Sequence, residues 1–170
     1  LRLMTFDITA ADHDRDELLD LLRRSVAVKE NIVKQDPTEH GIRKALNLGH
    51  TIGHAFEEMA LQRHNPIPHG YAVACGLVVE CVLSSMLQGF DSTLLHTFAK
   101  YVRDIYGAFV ITCEDYPALI ELMRQDKKNF NADAINFTLL RAPGDFIIDV
   151  TIDSETIKSA LDIYRDLMGI

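Results

Sequence analysis

The stretch Tyr71 to Leu87, YAVACGLVVECVLSSML, constrains the fold more than any other part of the chain. As a helix it is apolar on every side, so no face of it can be left to water and other elements must enclose it. It falls slightly short of the roughly 20 residues a membrane span requires, and Glu80 and the Ser84-Ser85 pair interrupt it. The reading is a buried central helix with further helices around it. At 170 residues and 48% hydrophobic, the chain is long enough to bury such a core as a single domain over residues 1–170, with two small domains as the alternative.

The flanking patterns supply the rest. The first nine residues, LRLMTFDIT, alternate weakly and read as a short extended arm. From about Asp14, Leu18, Leu21, Leu22, Val26 and Val33 recur at helical spacing until Asp36-Pro37, where proline disfavours continuation. A second helix is expected over Ile42 to Gln62, ending in HNPIPHG, whose prolines break it. The central helix should run from Gly70 to Gln88 with Gly89 as its C-cap, and Asp91 can cap a fourth helix reaching Tyr106. A fifth covers Tyr116 to Lys128. INFTLLRAPGDFIIDV then reads as two strands around Ala142-Pro143-Gly144-Asp145. A last helix starts at Asp153 or Ser154 and carries Ile157, Leu161, Tyr164 and Met168 on one face. The fold class is therefore mainly α, a multi-helical domain with a small β-hairpin.

A net charge of −8 argues against nucleic acid or an anionic membrane as the main partner. Cys75, Cys81 and Cys113 are odd in number and form no CxxC pair, so they read as reduced, buried thiols of a cytoplasmic protein. No signal peptide opens the chain.

LNLGHTIGHAFEEMALQRHNPIPHGYAVACG, residues 46–76, places three of the seven histidines among glycines and alanines. On one helix at 100° per residue, Arg43, Asn47, His50 and His54 fall within roughly 60° of arc. Ala45, Leu48, Ile52 and Ala55 would face the core. Gly49 and Gly53 each cost about 1 kcal/mol relative to alanine inside a helix, so the pair calls for a packing or site reason. Histidines at i and i+4 aim two imidazoles at one point, a common way to build a metal site, and His69 can return to it after the prolines. Any one of these histidines alone reads more simply as a locally hydrogen-bonded or surface residue. His13, His40, His64 and His96 have no such setting.

These residues carry a family resemblance. VKENIVKQDPTEHGIRKALNLGHTIGHAFE followed by HGYAVACGL resembles 3-dehydroquinate synthase. That pattern has a lysine on the preceding helix, an acidic-Gly-Arg stretch, LN-x-GHT-x-GHA-x-E and HG-x-AVA-x-G, all present in order from Lys29 to Gly76. The resemblance covers essentially the whole chain, as the family's C-terminal domain. It implies that the N-terminal NAD-binding domain should precede Leu1 and is absent from this chain, whose start at Leu rather than Met suggests a fragment. Tyr71 stands where many members have glutamate.

The resemblance also implies roles. His50 and His69 match metal ligands for Zn²⁺ (or Co²⁺), with a glutamate ligand outside the chain. His54 matches a catalytic histidine and Glu39 an acidic residue that orients it. Lys29, Arg43 and Asn47 match groups that bind the anionic substrate, joined by a lysine of the pair Lys127-Lys128, with Lys128 the choice. Taken singly, Lys29, Arg43 and the lysine pair read more simply as solvated charges. The implied cofactors are NAD and the metal, and the partner is a small phosphorylated sugar acid, with a homodimer in the full-length enzyme. The implied reaction converts 3-deoxy-D-arabino-heptulosonate 7-phosphate to 3-dehydroquinate and phosphate in the shikimate pathway. Competing readings are another sugar phosphate cyclase of the 2-deoxy-scyllo-inosose or valiolone synthase type, a metal-dependent polyol dehydrogenase, or a regulatory helical domain with a vestigial site.

Overall fold

A computed structural model describes residues 2–6, 15–125 and 134–170. The chain divides into two compact units, Leu1–Leu46 and Asn47–Ile170. The first holds a one-turn helix α1 (Arg2–Thr5) and the long α2 (Arg15–Gln35). The expected extended arm is thus helical in part. Arg, Leu and Met at its start are all strong helix formers, which outweighs the weak alternation. Helix α2 ends one residue before Asp36-Pro37, as proline dictates. The loop after it is organised by the Asp36 carboxylate, which accepts backbone N–H bonds from His40 (3.2 Å), Gly41 (2.7 Å) and Arg43 (3.1 Å). Those donors, Gly41 first, hold the Asp36 carboxyl below its ordinary range.

The second unit is built around α4 (His69–Gln88), the all-apolar helix. Helix α3 (His50–Gln62) packs on it, as do α5 (Ser92–Tyr106), α7 (Ser154–Met168) and strand β1 (Ala134–Ala142), while α6 (Tyr116–Gln125) lies against α3. Val78, Val79, Val82 and Leu83 are enclosed on all sides, which accounts for a helix with no polar face. By length and composition α4 could cross a membrane, yet most of its apolar stretch is buried within the unit.

Caps define the other ends. Gly89 terminates α4 in the left-handed region, at φ 73°. The side chains of Asp91 and Asp153 accept the N–H of Leu94 and Thr156 and start α5 and α7. β1 pairs antiparallel with β2 (Asp145–Asp153) from Ala134↔Asp153 to Ala142↔Asp145, with irregular register near Thr138 and Arg141. Ile157, Leu161, Tyr164 and Met168 are all buried, as their spacing predicts. The Tyr164 hydroxyl both accepts the Phe109 N–H and donates to the Phe109 carbonyl, so its polar end is satisfied inside the core.

Two expectations are corrected. The helix read over Ile42 to Gln62 is two elements: a 3-10 turn over Ile42–Asn47, then α3 from His50. Gly49 between them takes φ 81°, a left-handed conformation that ends any α-helical run. The stripe of Arg43, Asn47, His50 and His54 on one helix therefore does not exist. The second correction concerns the cysteines. All three are free, and Cys75 and Cys81 are buried, but Cys113 is exposed. It opens a short 3-10 turn, Cys113–Asp115, on the surface rather than in a helix core.

Candidate active site

What puts α3 against α4 at backbone range is a set of three glycines. A Cβ on Gly76 would clash with the Gly49 carbonyl oxygen and the Gly53 nitrogen. One on Gly49 would lie 2.5 Å from Leu77 Cγ, and one on Gly53 3.0 Å from Val73 Cα. The cost of glycine inside helices is thus offset by a crossing that no side chain would allow. That crossing brings the start of α3 beside the start of α4, where His50, His54 and His69 reside.

The three imidazoles form a nearly equilateral triangle. Ring centroids are 5.5 Å apart for His50 and His54, 5.5 Å for His50 and His69, and 5.7 Å for His54 and His69. The i, i+4 pair of α3 and the first residue of α4 thus lie together.

Hydrogen bonds orient two of the rings. His50 Nδ1 lies 3.2 Å from the Leu48 carbonyl oxygen, and His69 Nδ1 lies 2.8 Å from Glu57 Oε2. Both partners only accept in these contacts, so Nδ1 carries the hydrogen, and the lone pair of a neutral ring is then on Nε2. This tautomer is the one a metal-ligating histidine adopts when a carbonyl or carboxylate anchors its other nitrogen. Two imidazoles on one zinc, with Zn–N of about 2.1 Å, place their centroids about 5 Å apart. All three pairwise spacings fit that requirement, so distance alone does not single out His50 and His69. Among the described residues no group of three or more histidine, cysteine or acidic side chains forms a complete metal-holding set. The fit is to an incomplete set needing a further donor.

The remaining candidates are distributed differently. Asn47 ends the 3-10 turn three residues before His50. Lys29 (exposed, on α2), Glu39 and Arg43 belong to the first unit. There Arg43 Nε lies 3.8 Å from Glu39 Oε2, and Arg43 donates to the Pro37 carbonyl oxygen at 2.8 Å. Lys127 and Lys128 lie outside the described residues, as does His13. His96 bonds the Ser92 carbonyl oxygen of its own helix, consistent with its exclusion from the site.

Two acidic residues escaped the sequence reading of roles. Glu57 falls within roughly 60° of His50 and His54 on α3, so a helical projection could have marked it as a partner for an imidazole. Glu80 interrupts the apolar helix, but nothing local shows where it points. It is fully buried and accepts the Gly49 N–H through Oε2 at 2.6 Å. Burial pushes its carboxyl up to about 8, against the opposing pull of the backbone N–H groups of Gly49, Ile52 and Thr51.

Residues 3–129 match the family described as 3-dehydroquinate synthase C-terminal. The chain belongs to that family. A 3-dehydroquinate synthase of Parabacteroides distasonis is 48% identical over 168 residues, spanning 99% of this chain and 47% of the relative. One from Bacillus cereus (strain AH187) is 36% identical over 163 residues, spanning 95% of this chain and 43% of the relative. The chain thus covers less than half the length of these curated relatives. A solved structure of 2-deoxy-scyllo-inosose synthase, complexed with carbaglucose-6-phosphate, NAD⁺ and Co²⁺, superposes with a TM-score of 0.69. It shares 18% identity over 86% of this chain and 41% of its own. The 2-epi-5-epi-valiolone synthase of Streptomyces hygroscopicus, with NAD⁺ and Zn²⁺ bound, gives 0.67 and 20% over 87% and 40%. At these identities the likeness establishes a shared fold, the helical and hairpin architecture described above.

Proposed function

We propose that this chain supplies the histidine-bearing part of a 3-dehydroquinate synthase active site, acting on 3-deoxy-D-arabino-heptulosonate 7-phosphate in the shikimate pathway. The observation that carries the reading is the triangle of His50, His54 and His69, with Nδ1 of His50 and His69 anchored to acceptors, in a member of this family. In this reading His50 and His69 are two ligands of a divalent metal, Zn²⁺ or Co²⁺, completed by a donor from outside the chain. NAD⁺ is bound mainly by the part of the relatives' length that this chain does not cover.

When bound, the metal supplies Lewis acidity at the reacting hydroxyl and NAD⁺ takes up and returns a hydride. The chain's own residues do the rest. His54, exposed beside both ligands, moves the proton of the hydroxyl that is oxidised and later reduced. Lys29, Arg43 and Lys128 pair with the substrate carboxylate and phosphate, for which ammonium and bidentate guanidinium groups are suited, and Asn47 hydrogen-bonds a hydroxyl. The product class is a carbocycle plus inorganic phosphate. A cytoplasmic homodimer is part of the same proposal.

The test is phosphate release by the full-length protein carrying this chain, with NAD⁺ and Zn²⁺ or Co²⁺. Turnover of the heptulosonate phosphate and not of glucose 6-phosphate is expected. Turnover of the uncarboxylated sugar instead would make the protein a different sugar phosphate cyclase. Loss of neither metal affinity nor turnover in His50→Ala and His69→Ala would overturn the reading.

A further inference from the structure

We infer that Glu80 is a positioning residue for the site: its buried carboxyl fixes the first turn of α3, and so the place of His50, from the neighbouring helix. The inference rests on the function proposed above. Helix α3 begins at His50, and its N-cap residue, Gly49, has no side chain to satisfy the orphan N–H groups of the first turn. Serine or aspartate would ordinarily do so locally. They cannot stand here, because a Cβ on Gly49 would run into Leu77 and the residue sits at φ 81°. An oxygen is instead delivered from 31 residues away: Gly49 N–H, the first of those orphan donors, bonds Glu80 Oε2 at 2.6 Å, and the carboxyl also feels the N–H groups of Thr51 and Ile52 that a local cap would take.

The delivery is expensive. Glu80 is 0% exposed, and among the described residues its second oxygen, Oε1, is buried with no hydrogen-bond partner. Burying an incompletely bonded carboxyl to hold the N–H groups of one helix start is a poor exchange for stability alone. What it achieves is placement. Ser84, one turn further along α4, donates to the Glu80 carbonyl oxygen (2.6 Å) and accepts the Leu140 N–H (2.9 Å), tying the Glu80 turn to β1. Thr51, next to His50, donates to the Asn136 carbonyl oxygen of β1 at 3.4 Å. The start of α3 is thus held between α4 and the hairpin, with Glu80 as its direct hold. Glu80 itself touches no reacting group.

The experiment compares Glu80→Gln, Glu80→Asp and Glu80→Met in the full-length protein, with Val79→Ala as a control for core loss. Co²⁺ affinity, the Co²⁺ visible spectrum and the ring-nitrogen NMR signals of His50 in the metal-free protein are measured beside thermal stability. Glutamine retains a carbonyl acceptor of the same reach and should stay within about threefold of wild type in Co²⁺ affinity. Aspartate is one methylene short and methionine has no acceptor. Both should weaken Co²⁺ about tenfold to hundredfold, the usual effect of losing a group that orients a ligand, and shift the His50 signals. Val79→Ala should lose stability while keeping affinity and signals. If Glu80→Asp behaves as Glu80→Gln does, or if Val79→Ala weakens Co²⁺ as much as Glu80→Asp, the inference is overturned; Glu80→Asp decides even where methionine does not fold. A wild type that binds no Co²⁺ would instead remove the proposed function, and the His50 signals alone would then judge Glu80.

Discussion

Glu57 on α3 and His69 at the start of α4 meet across the helix crossing, with Oε2 2.8 Å from Nδ1. The His69 side chain is 52% exposed, so the pair adds little to stability. Its effect is on orientation: the carboxylate fixes the tautomer and anchors the ring beside the other two. Glu57→Ala should therefore leave the melting temperature nearly unchanged and weaken metal binding about tenfold or more. Isothermal calorimetry with Zn²⁺ on the full-length protein measures it, and equal affinities would show that His69 needs no such partner.

His50 and His54 are separable despite their one-turn spacing. His54→Asn should keep near-stoichiometric zinc while kcat falls about 10²- to 10⁴-fold, the range for a lost acid–base group. His50→Asn should lose zinc and turnover together. Metal analysis beside steady-state kinetics decides between them. A zinc-free His54→Asn would make His54 a ligand.

The glycines of the crossing predict opposite signs for one substitution. Gly76→Ala forces a methyl into the backbone of Gly49 and Gly53 and should destabilise by at least about 1–3 kcal/mol. Gly70→Ala, also in α4, meets nothing within 4 Å and should be neutral or stabilising by up to about 1 kcal/mol. Urea unfolding of the two variants is the measurement, and the same sign for both would contradict the packing described.

Glu80 gives stability a pH dependence. Its carboxyl is pushed up to about 8 in the folded protein from an ordinary 4.5, burial being the largest cause. Between those values the folded state holds a proton that the unfolded chain has released. The group's contribution is therefore fully present below about pH 4.5 and is lost as pH rises through about 8. Relative to Glu80→Gln, wild type should lose up to about 1.4 kcal/mol per pH unit across that window. Denaturation midpoints of both proteins at about pH 5 and about pH 8 test the sign, and parallel behaviour would show that Glu80 ionises normally.

What the sequence reveals here depends on the range of the interactions involved. Helix α4, its Gly89 stop, the Asp91 and Asp153 caps and the hairpin turn at Pro143-Gly144 follow from local chemistry, and all lie where their residues indicate. The His50–His54 pairing is local too, being one helical turn. Arg43 fails on the same helix because its backbone answers to Asp36 in a loop, not to the periodicity of the residues after it. The break at Gly49 was hidden for a different reason. A glycine in a helical pattern can be tolerated at a cost, and the groups that meet Gly49 at the break, Leu77 and Glu80, come from α4. The exposed Cys113 shows that a cysteine's setting follows from tertiary placement and not from its count.

Because Gly49, Gly53 and Gly76 fix the separation of α3 and α4 by direct contact, the connector between the helices joins the histidines without spacing them. Its length is consequently open to drift or to deliberate insertion near His64 and Asn65, as long as Arg63 keeps Asp115 and the chain still brings Ile67 to the core and Pro68 to the start of α4. The three glycines have no such latitude. None can change alone, so the geometry of the site is inherited as a block while the loop beside it is rewritten.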